Sequence, residues 1–474
     1  MLKLFFKFSI GTFVSTLISF FTVPVTTLLI SPENFGKSAL FTFAYNIFNN
    51  VVLFGLDQSF MRFFFEDNKK EEKKSFLWSY LVFSILIWLL LSLVLLFWGN
   101  NISQWMIGED DIRIVYLLCF QLLIGLFNRY VSLILRMKKK GLYYSLLQIV
   151  SSIINVIVII LTANFIINNF YAILFGGVVS LFFTTILGTV WEREFIFAGW
   201  KFSRVQFLKM LKYGYPFLFV GVMTILFGGL DKIFIRRFEN FENLGLYSSA
   251  LKITSVFTIL KTGFSTFWTP LSIEYYSKNP EKTELYETAY RYMSFILIIC
   301  GLLLIGFKDI FKLLLDSKYH DAIPIMPFLI FTPIMYILSE ITQIGINFKK
   351  KTYWYMVILS VLIVVSSVLY YFLIKILGIK GAAVTMGISY MIYFLLRTSV
   401  SVKYFPMNFN LIKSVILFAL LALVAAINTF CNNKILCVGS ALISILICVA
   451  LNIKVIKELI EYLKKAFSAR LRKS

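Results

Sequence analysis

Of 474 residues, 59% are hydrophobic and only 15% are charged, and a mean hydropathy of +0.84 excludes a water-soluble core. The formal charge of +22 could suit a nucleic-acid binder, but it reads as membrane topology once each Lys and Arg is assigned to a side. The 51 Phe and 25 Tyr suit a chain solvated by lipid and anchored by aromatic belts.

A crossing needs roughly 20 apolar residues to span a hydrocarbon core of about 30 Å. Such stretches are predicted at 8–30, 36–56, 75–98, 113–135, 142–163 and 166–190. Eight more follow at 213–238, 244–271, 289–314, 322–347, 353–376, 381–402, 411–430 and 435–453. The expected fold class is therefore all-α integral membrane, with about fourteen transmembrane helices. An even number puts both termini on one side. With the N-terminus in the cytoplasm, the inner segments hold about 32 of the 46 basic residues. Lys69, Lys70, Lys73 and Lys74, the triplets Lys138 to Lys140 and Lys349 to Lys351, and the tail from Lys454 to Lys473 are the main inner blocks. The outer loop Gly108-Glu109-Asp110-Asp111 is acidic. Lys3 and Lys7 precede the first run as in a signal peptide, but no small-residue cleavage site follows, so this run is expected to stay as the first helix.

Three landmarks recur at nearly one offset. Glu33-Asn34-Phe35-Gly36 returns as Glu242-Asn243-Leu244-Gly245, about 209 residues on. The triplet at Lys138, with Gly141-Leu142-Tyr143-Tyr144 after it, returns at Lys349 with Thr352-Tyr353-Trp354-Tyr355, about 211 on. Tyr171-Ala172 with Gly177 resembles Gly381-Ala382 with Gly387, about 210 on. Each half then reads as a six-helix lobe in the same orientation, a parallel repeat of the kind that encloses a central cavity in transporters. The domains expected are lobes at 1–200 and 201–410, two further helices at 411–453, and a basic amphipathic cytoplasmic tail at 454–474, with Val455, Ile456, Leu459, Ile460, Leu463 and Phe467 on its apolar face.

The longest connector, near 191–212, leaves no room for a nucleotide-binding domain, and no phosphate-binding glycine loop is present. Cys119, Cys300, Cys431, Cys437 and Cys448 show no CxxC spacing, so no metal, cofactor or disulfide framework is expected. The single His320 reads as structural.

Charges at membrane depth cost several kcal/mol unless they face a wet cavity or a partner. The candidates are Arg129, Asp231, Lys232, Arg236, Arg237, Lys252, Lys261 and Glu340, in which cations outnumber anions. Such an excess suits an anionic cargo, phosphate above all. The structural alternative pairs Asp231 with a neighbouring cation and lets Arg236 and Arg237 snorkel to the interface. Lys261 stands deep in an apolar span beside Thr262, Gly263 and Ser265. Glu340, Gln343 and Asn347 form a polar face after Pro333, suited to hydrogen bonds with a sugar. The first span carries Thr12, Ser15, Thr16, Ser19, Thr22, Thr26 and Thr27 around Pro24, which either line a path for sugar hydroxyls or bond helices together.

The block Ser31-Pro32-Glu33-Asn34-Phe35-Gly36, the run Gly55-Leu56-Asp57 to Arg62-Phe63-Phe64, Gly229-Leu230-Asp231-Lys232 and Gly381-Ala382-Ala383 together resemble the Wzx-type polysaccharide flippases. These belong to the multidrug/oligosaccharidyl-lipid/polysaccharide exporter superfamily. The resemblance implies a non-enzymatic carrier of undecaprenyl-pyrophosphate-linked oligosaccharide in the bacterial cytoplasmic membrane. It would supply O-antigen, capsule or exopolysaccharide synthesis, alongside membrane lipids and other polysaccharide assembly proteins. It places Asp57 and Arg62 at the inner mouth, and Asp231 with Lys232 inside the second lobe. The alternative is a cation-coupled multidrug exporter of the related branch, which needs a cavity carboxylate in the first lobe; Asp57 at its span end is the one acid available.

Overall fold

The computed structural model describes residues 2–65, 70–196, 203–458 and 461. Of the apolar face expected on the tail, Val455 is buried and Ile456 half-buried, while Leu459, Ile460, Leu463 and Phe467 lie outside the described residues, as does Lys69. No strand occurs among the described residues, and the elements follow in order: α1 (Leu2–Leu29), α2 (Pro32–Leu53), α3 (Leu56–Phe63), α4 (Lys70–Phe97), α5 (Gly99–Ile107), α6 (Ile112–Met137), α7 (Gly141–Phe165), α8 (Phe170–Trp191), α9 (Arg193–Ile196), α10 (Arg204–Phe227), α11 (Leu230–Phe238) and α12 (Phe241–Thr254). They continue with α13 (Val256–Lys278), α14 (Glu284–Gly306), two 3-10 segments (Lys308–Leu313 and Ser317–Ile325), α15 (Met326–Leu329), α16 (Phe331–Thr342), α17 (Ile344–Phe348), α18 (Tyr353–Leu377), α19 (Ile379–Tyr404), α20 (Leu411–Phe430) and α21 (Lys434–Leu451).

Twelve helical stretches among the described residues are long and apolar enough to cross a bilayer, and the bent pair α2–α3 makes thirteen. The remaining expected crossing, 244–271, is helical but divides at Ser255 into α12 and α13, which carry Lys252 and Lys261. The chain packs as two compact units, residues 1–252 and 253–474. The division near residue 200 was drawn from the repeat, and it stays a statement about internal similarity.

In the first unit, Ser31 caps α2 by accepting from the Asn34 amide at 3.4 Å, and Pro32 occupies the first turn where no amide donor is needed. The helix ends where Phe54 and Gly55 turn left-handed, at φ of 50° and 69°, and α3 leaves at 51° to α2. Gly55 is required twice over. Its φ suits glycine, and a Cβ there would run into the carbonyl oxygen of Gly214 on α10. The two backbones touch because neither residue has a side chain, and Ser59 donates across the same seam to the Met210 carbonyl at 2.7 Å. Gly55→Ala is expected to destabilise by about 1–3 kcal/mol through strain and displacement of α10. A thermal melt of the purified variant that matches wild type would refute this. Leu56, Phe60, Tyr80, Leu126, Tyr130, Leu133 and Met210 fill the core behind the bend.

The repeat landmarks share local geometry. Lys139 and Lys350, the middle members of the two triplets, both take left-handed backbone at φ 57° and 54°. Lys140 N and Lys351 N each close back on the carbonyl five residues earlier, at 2.9 Å, which is the Schellman way of ending a helix. The first triplet is more than a solvated block, because Lys138 and Lys140 both bind the buried carboxylate of Glu192. Gly36 and Gly245, at matching places in the other landmark, pack backbone against backbone; a Cβ on either would collide with a carbonyl oxygen, of Phe241 or Pro32 respectively.

Asp111 caps α6, and the Arg113 guanidinium, above all, holds its carboxyl down to about 2, helped by the Tyr171 hydroxyl at 2.8 Å. A depressed carboxyl stabilises the fold above its unfolded value of about 3.9 and loses that contribution as pH falls toward 2. The melting difference between wild type and Asp111→Asn should therefore be full at neutral pH and shrink between pH 4 and 2. A constant difference across that window would exclude the cap charge as its source.

In the second unit, α16 and α17 pack on α19 through hydroxyls: Thr342 and Thr398 lie 2.7 Å apart, and Ser401 Oγ accepts from the Gly345 amide at 2.9 Å. Ser366 on α18 donates to Ser389 on α19 at 2.8 Å. Large apolar side chains such as Phe97, Ile376 and Ile435 point outward, as in a protein whose solvent is lipid. His320 sits half-buried in the second 3-10 segment.

Candidate functional site

A polar cavity of about 660 Å³ lies in the first unit. Thr42, Asn46, Asn49 and Asn50 share one face of α2, spaced three and four residues apart, and turn their amides and hydroxyl into it. The bend at Gly55 adds Asp57 and Gln58, α6 adds Arg129, and α10 with α11 adds Gly221 and Lys232. The Asn49 and Asn50 side-chain oxygens are themselves buried and have no hydrogen-bond partner among the described residues.

Both cations of this cavity are held by aspartates. Arg129 Nη2 lies 2.5 Å and Nε 3.2 Å from Asp57 Oδ2, while Gln58 donates to the same oxygen at 3.0 Å. Lys232 Nζ lies 3.3 Å from Oδ1 of the buried Asp231. Each aspartate is the second residue of a short helix that follows a glycine break, in Gly55-Leu56-Asp57 and Gly229-Leu230-Asp231. The expected excess of cations is absent at this point, because two positive charges meet two negative ones.

Arg62 lies elsewhere. It is exposed in the last turn of α3 and does not line the cavity. Arg236 donates to the carbonyls of Trp105 and Gln104 at 3.2 and 3.4 Å and stacks 4.2 Å from the Phe241 ring, in keeping with the snorkelling alternative. Lys252 Nζ rests 4.4 Å over the Phe35 ring. On α1, Thr12 donates to Gln148 at 3.0 Å and the Gly11 amide to Ser145 at 3.1 Å, so part of the hydroxyl stripe joins α1 to α7. Ser15 with Ser151, Ser152, Gln148, Asn128 and Thr184 lines a separate neutral pocket of about 290 Å³.

The second unit holds a different charged cluster. Glu340 lies 3.2 Å from Arg397, which the survey of charges in the sequence left out. The buried guanidinium also reaches Ser339 Oγ at 3.1 Å and the Tyr393 hydroxyl, and it lies within 5.0 Å of the Tyr355 ring centre. Lys261 Nζ sits 3.5 Å over the Tyr336 ring, whose face stacks on Tyr393. Two cations against one carboxylate leave this cluster with one positive charge in excess. The polar face expected through Glu340, Gln343 and Asn347 is broken at Gln343, where α16 ends. Gln343 is buried with its oxygen unpartnered, whereas Asn347 is exposed and accepts from the Tyr355 hydroxyl at 2.8 Å.

Apolar outside, with ion pairs, amides and hydroxyls inside, this is a multi-pass all-α membrane protein of a transporter fold. The chain belongs to the polysaccharide biosynthesis protein family, whose profile matches residues 1–275. Among solved structures it is similar to "Lipid II flippase MurJ, inward closed conformation", at 19% identity and a TM-score of 0.67, over 96% of this chain and 99% of that one. It is also similar to an outward-facing and an inward-facing multidrug resistance MATE family transporter of the MOP superfamily. The first has 18% identity and a TM-score of 0.56, covering 84% of this chain and 94% of that one; the second has 15% and 0.60, covering 82% and 93%. These are likenesses of fold. No curated protein matches the sequence.

Proposed function

We propose that the protein moves undecaprenyl-pyrophosphate-linked oligosaccharide from the inner to the outer leaflet of the bacterial cytoplasmic membrane, with both termini in the cytoplasm. The observation that carries this reading is the lining of the 660 Å³ cavity, where asparagine amides, a threonine hydroxyl, two cations and Asp57 stand among apolar side chains such as Phe43 and Phe217. Amides and hydroxyls exchange hydrogen bonds with sugars, and cations meet phosphate oxygens. The protein works by alternating access, opening the head-group path to one side and then the other, while the prenyl tail stays in lipid. An inside-negative potential favours outward transit of pyrophosphate by about 2.3 kcal/mol per charge per 100 mV.

A cation-coupled multidrug exporter is the second reading, and the carboxylate it requires is Asp57. With Arg129 bound to it at 2.5 Å, that carboxylate already has a fixed counter-charge, which argues for the flippase. Deleting the gene should make complete lipid-linked repeat units accumulate on the inner leaflet; normal surface glycan with raised dye sensitivity would instead favour drug export. Lys261→Ala removes the ammonium above Tyr336 and the excess charge of its cluster. It is expected to cut glycan export about ten-fold without lowering protein abundance. Unchanged export would remove Lys261 from the site.

A further inference from the structure

A second polar pocket, of about 300 Å³, lies in the second unit where α14 begins, α20 begins and α21 ends. None of its lining residues is among the candidates above. Glu284 and Glu287 in the first turn of α14 line it, as do Arg291, one turn further along the same helix, and Lys413 of α20. No ion pair joins these acids to these bases among the described residues. Glu287 accepts from the Asn408 amide at 2.8 Å, which holds the 408–410 turn against α14. Arg291 is fixed by Glu458 at 2.9 Å, whose carboxylate also accepts from Tyr292 at 2.7 Å, and its other guanidinium donors have no further acceptor among the described residues.

With Glu458, which binds Arg291, three acids stand against two bases, and none of Glu284, Glu287 and Lys413 has an ion-pair partner among the described residues. A simple anion would meet Glu284 and Glu287, and a simple cation would meet Lys413 and Arg291. A zwitterion satisfies both ends at once. Beside Lys413, Ile412, Val415 and Ile416 of α20 are exposed, so an acyl chain leaving the pocket meets an apolar surface. The opening stands at helix ends, which the orientation proposed above puts at the inner membrane face. We infer that this pocket seats the head group of a zwitterionic phospholipid with a primary ammonium, its phosphate on Lys413 and Arg291 and its ammonium on Glu284 and Glu287. Each contact is a charge-assisted hydrogen bond. A lipid held there ties α14 to the two C-terminal helices and thereby makes stability of the second unit depend on bilayer composition.

The full-length, delipidated protein in detergent is titrated with dihexanoyl phosphatidylethanolamine, phosphatidylcholine and phosphatidylglycerol, and with soluble glycerophosphoethanolamine, under native mass spectrometry. Phosphatidylethanolamine is expected to bind at least ten-fold more tightly than the other three. Lys413→Gln should weaken it about ten-fold, and Glu284→Gln with Glu287→Gln should abolish its advantage over phosphatidylglycerol. Equal binding of phosphatidylglycerol would show a merely basic patch and overturn the proposal, and equal binding of phosphatidylcholine would overturn the primary ammonium. Equal binding of glycerophosphoethanolamine would assign the pocket to a free phosphodiester instead of a lipid. Should a variant fail to fold, the head-group series on the unaltered protein decides alone.

Discussion

Arg397→Ala is expected to destabilise the protein by about 3–5 kcal/mol, the effect of removing one partner from a buried ion pair. Arg397 and Glu340 have side chains only 9% and 15% exposed, so alanine leaves a carboxylate in a poorly solvated place. It also deprives Ser339 and Tyr393 of their donor and Tyr355 and Tyr393 of the cation near their rings. Arg397→Lys keeps the charge but loses the planar fork and the stacking, and should fall between wild type and alanine. Adding Glu340→Gln to Arg397→Ala removes the stranded charge and should restore more than half of the lost stability. Unfolding of the detergent-purified variants tests the series. An alanine variant as stable as wild type, or a double variant no better than the single, would show that the pair does not organise its surroundings.

The course of the chain was largely legible because membrane spans are written locally. Lipid demands apolar runs of fixed length, and the stretches at 113–135 and 353–376 fall within α6 and α18, while 75–98 overruns α4 by one residue. The break at Gly55 and the Schellman turns at Lys139 and Lys350 were not predicted; 36–56 was expected as one continuous span. The site was legible one residue at a time and no further. Asp57 and Arg129 stand 72 positions apart, and nothing at either end names the other. Reading each charge alone therefore predicted an excess of cations, where pairing leaves the first unit's cavity balanced. Arg397 was missed for a related reason. It stands five residues from the end of the stretch 381–402, where a cation usually snorkels to the interface, and its burial depends on α16 supplying Ser339 and Glu340. A local hint was present in Tyr393, one helical turn before it, as the ring on which an arginine can lie. The face through Gln343 failed because the calculation of a face assumes an unbroken helix, and α16 stops there.

Arg129 is the residue at which transport and stability should come apart most clearly. Arg129→Ala strands Asp57, whose side chain is 8% exposed, so it should lose about 3–5 kcal/mol and, with it, glycan export. That outcome alone would not distinguish a structural pair from a substrate contact. Asp57→Asn with Arg129→Gln removes both charges while keeping their volume and the possibility of an amide hydrogen bond, so most of the stability should return. Export should not return, because the cavity then keeps Lys232 as its one cation among the described lining residues. A head group with two phosphates loses a charge-assisted partner, and transport is expected to stay at least ten-fold below wild type at equal protein abundance. Full export by the stable double variant would confine Arg129 and Asp57 to holding α3 against α6 and would shift the anion-binding role to the cluster of Lys261 and Arg397. Impaired export at native stability would instead assign the α2–α3 bend its purpose: Gly55 turns the chain so that Asp57 meets Arg129 and holds that guanidinium at the cavity wall.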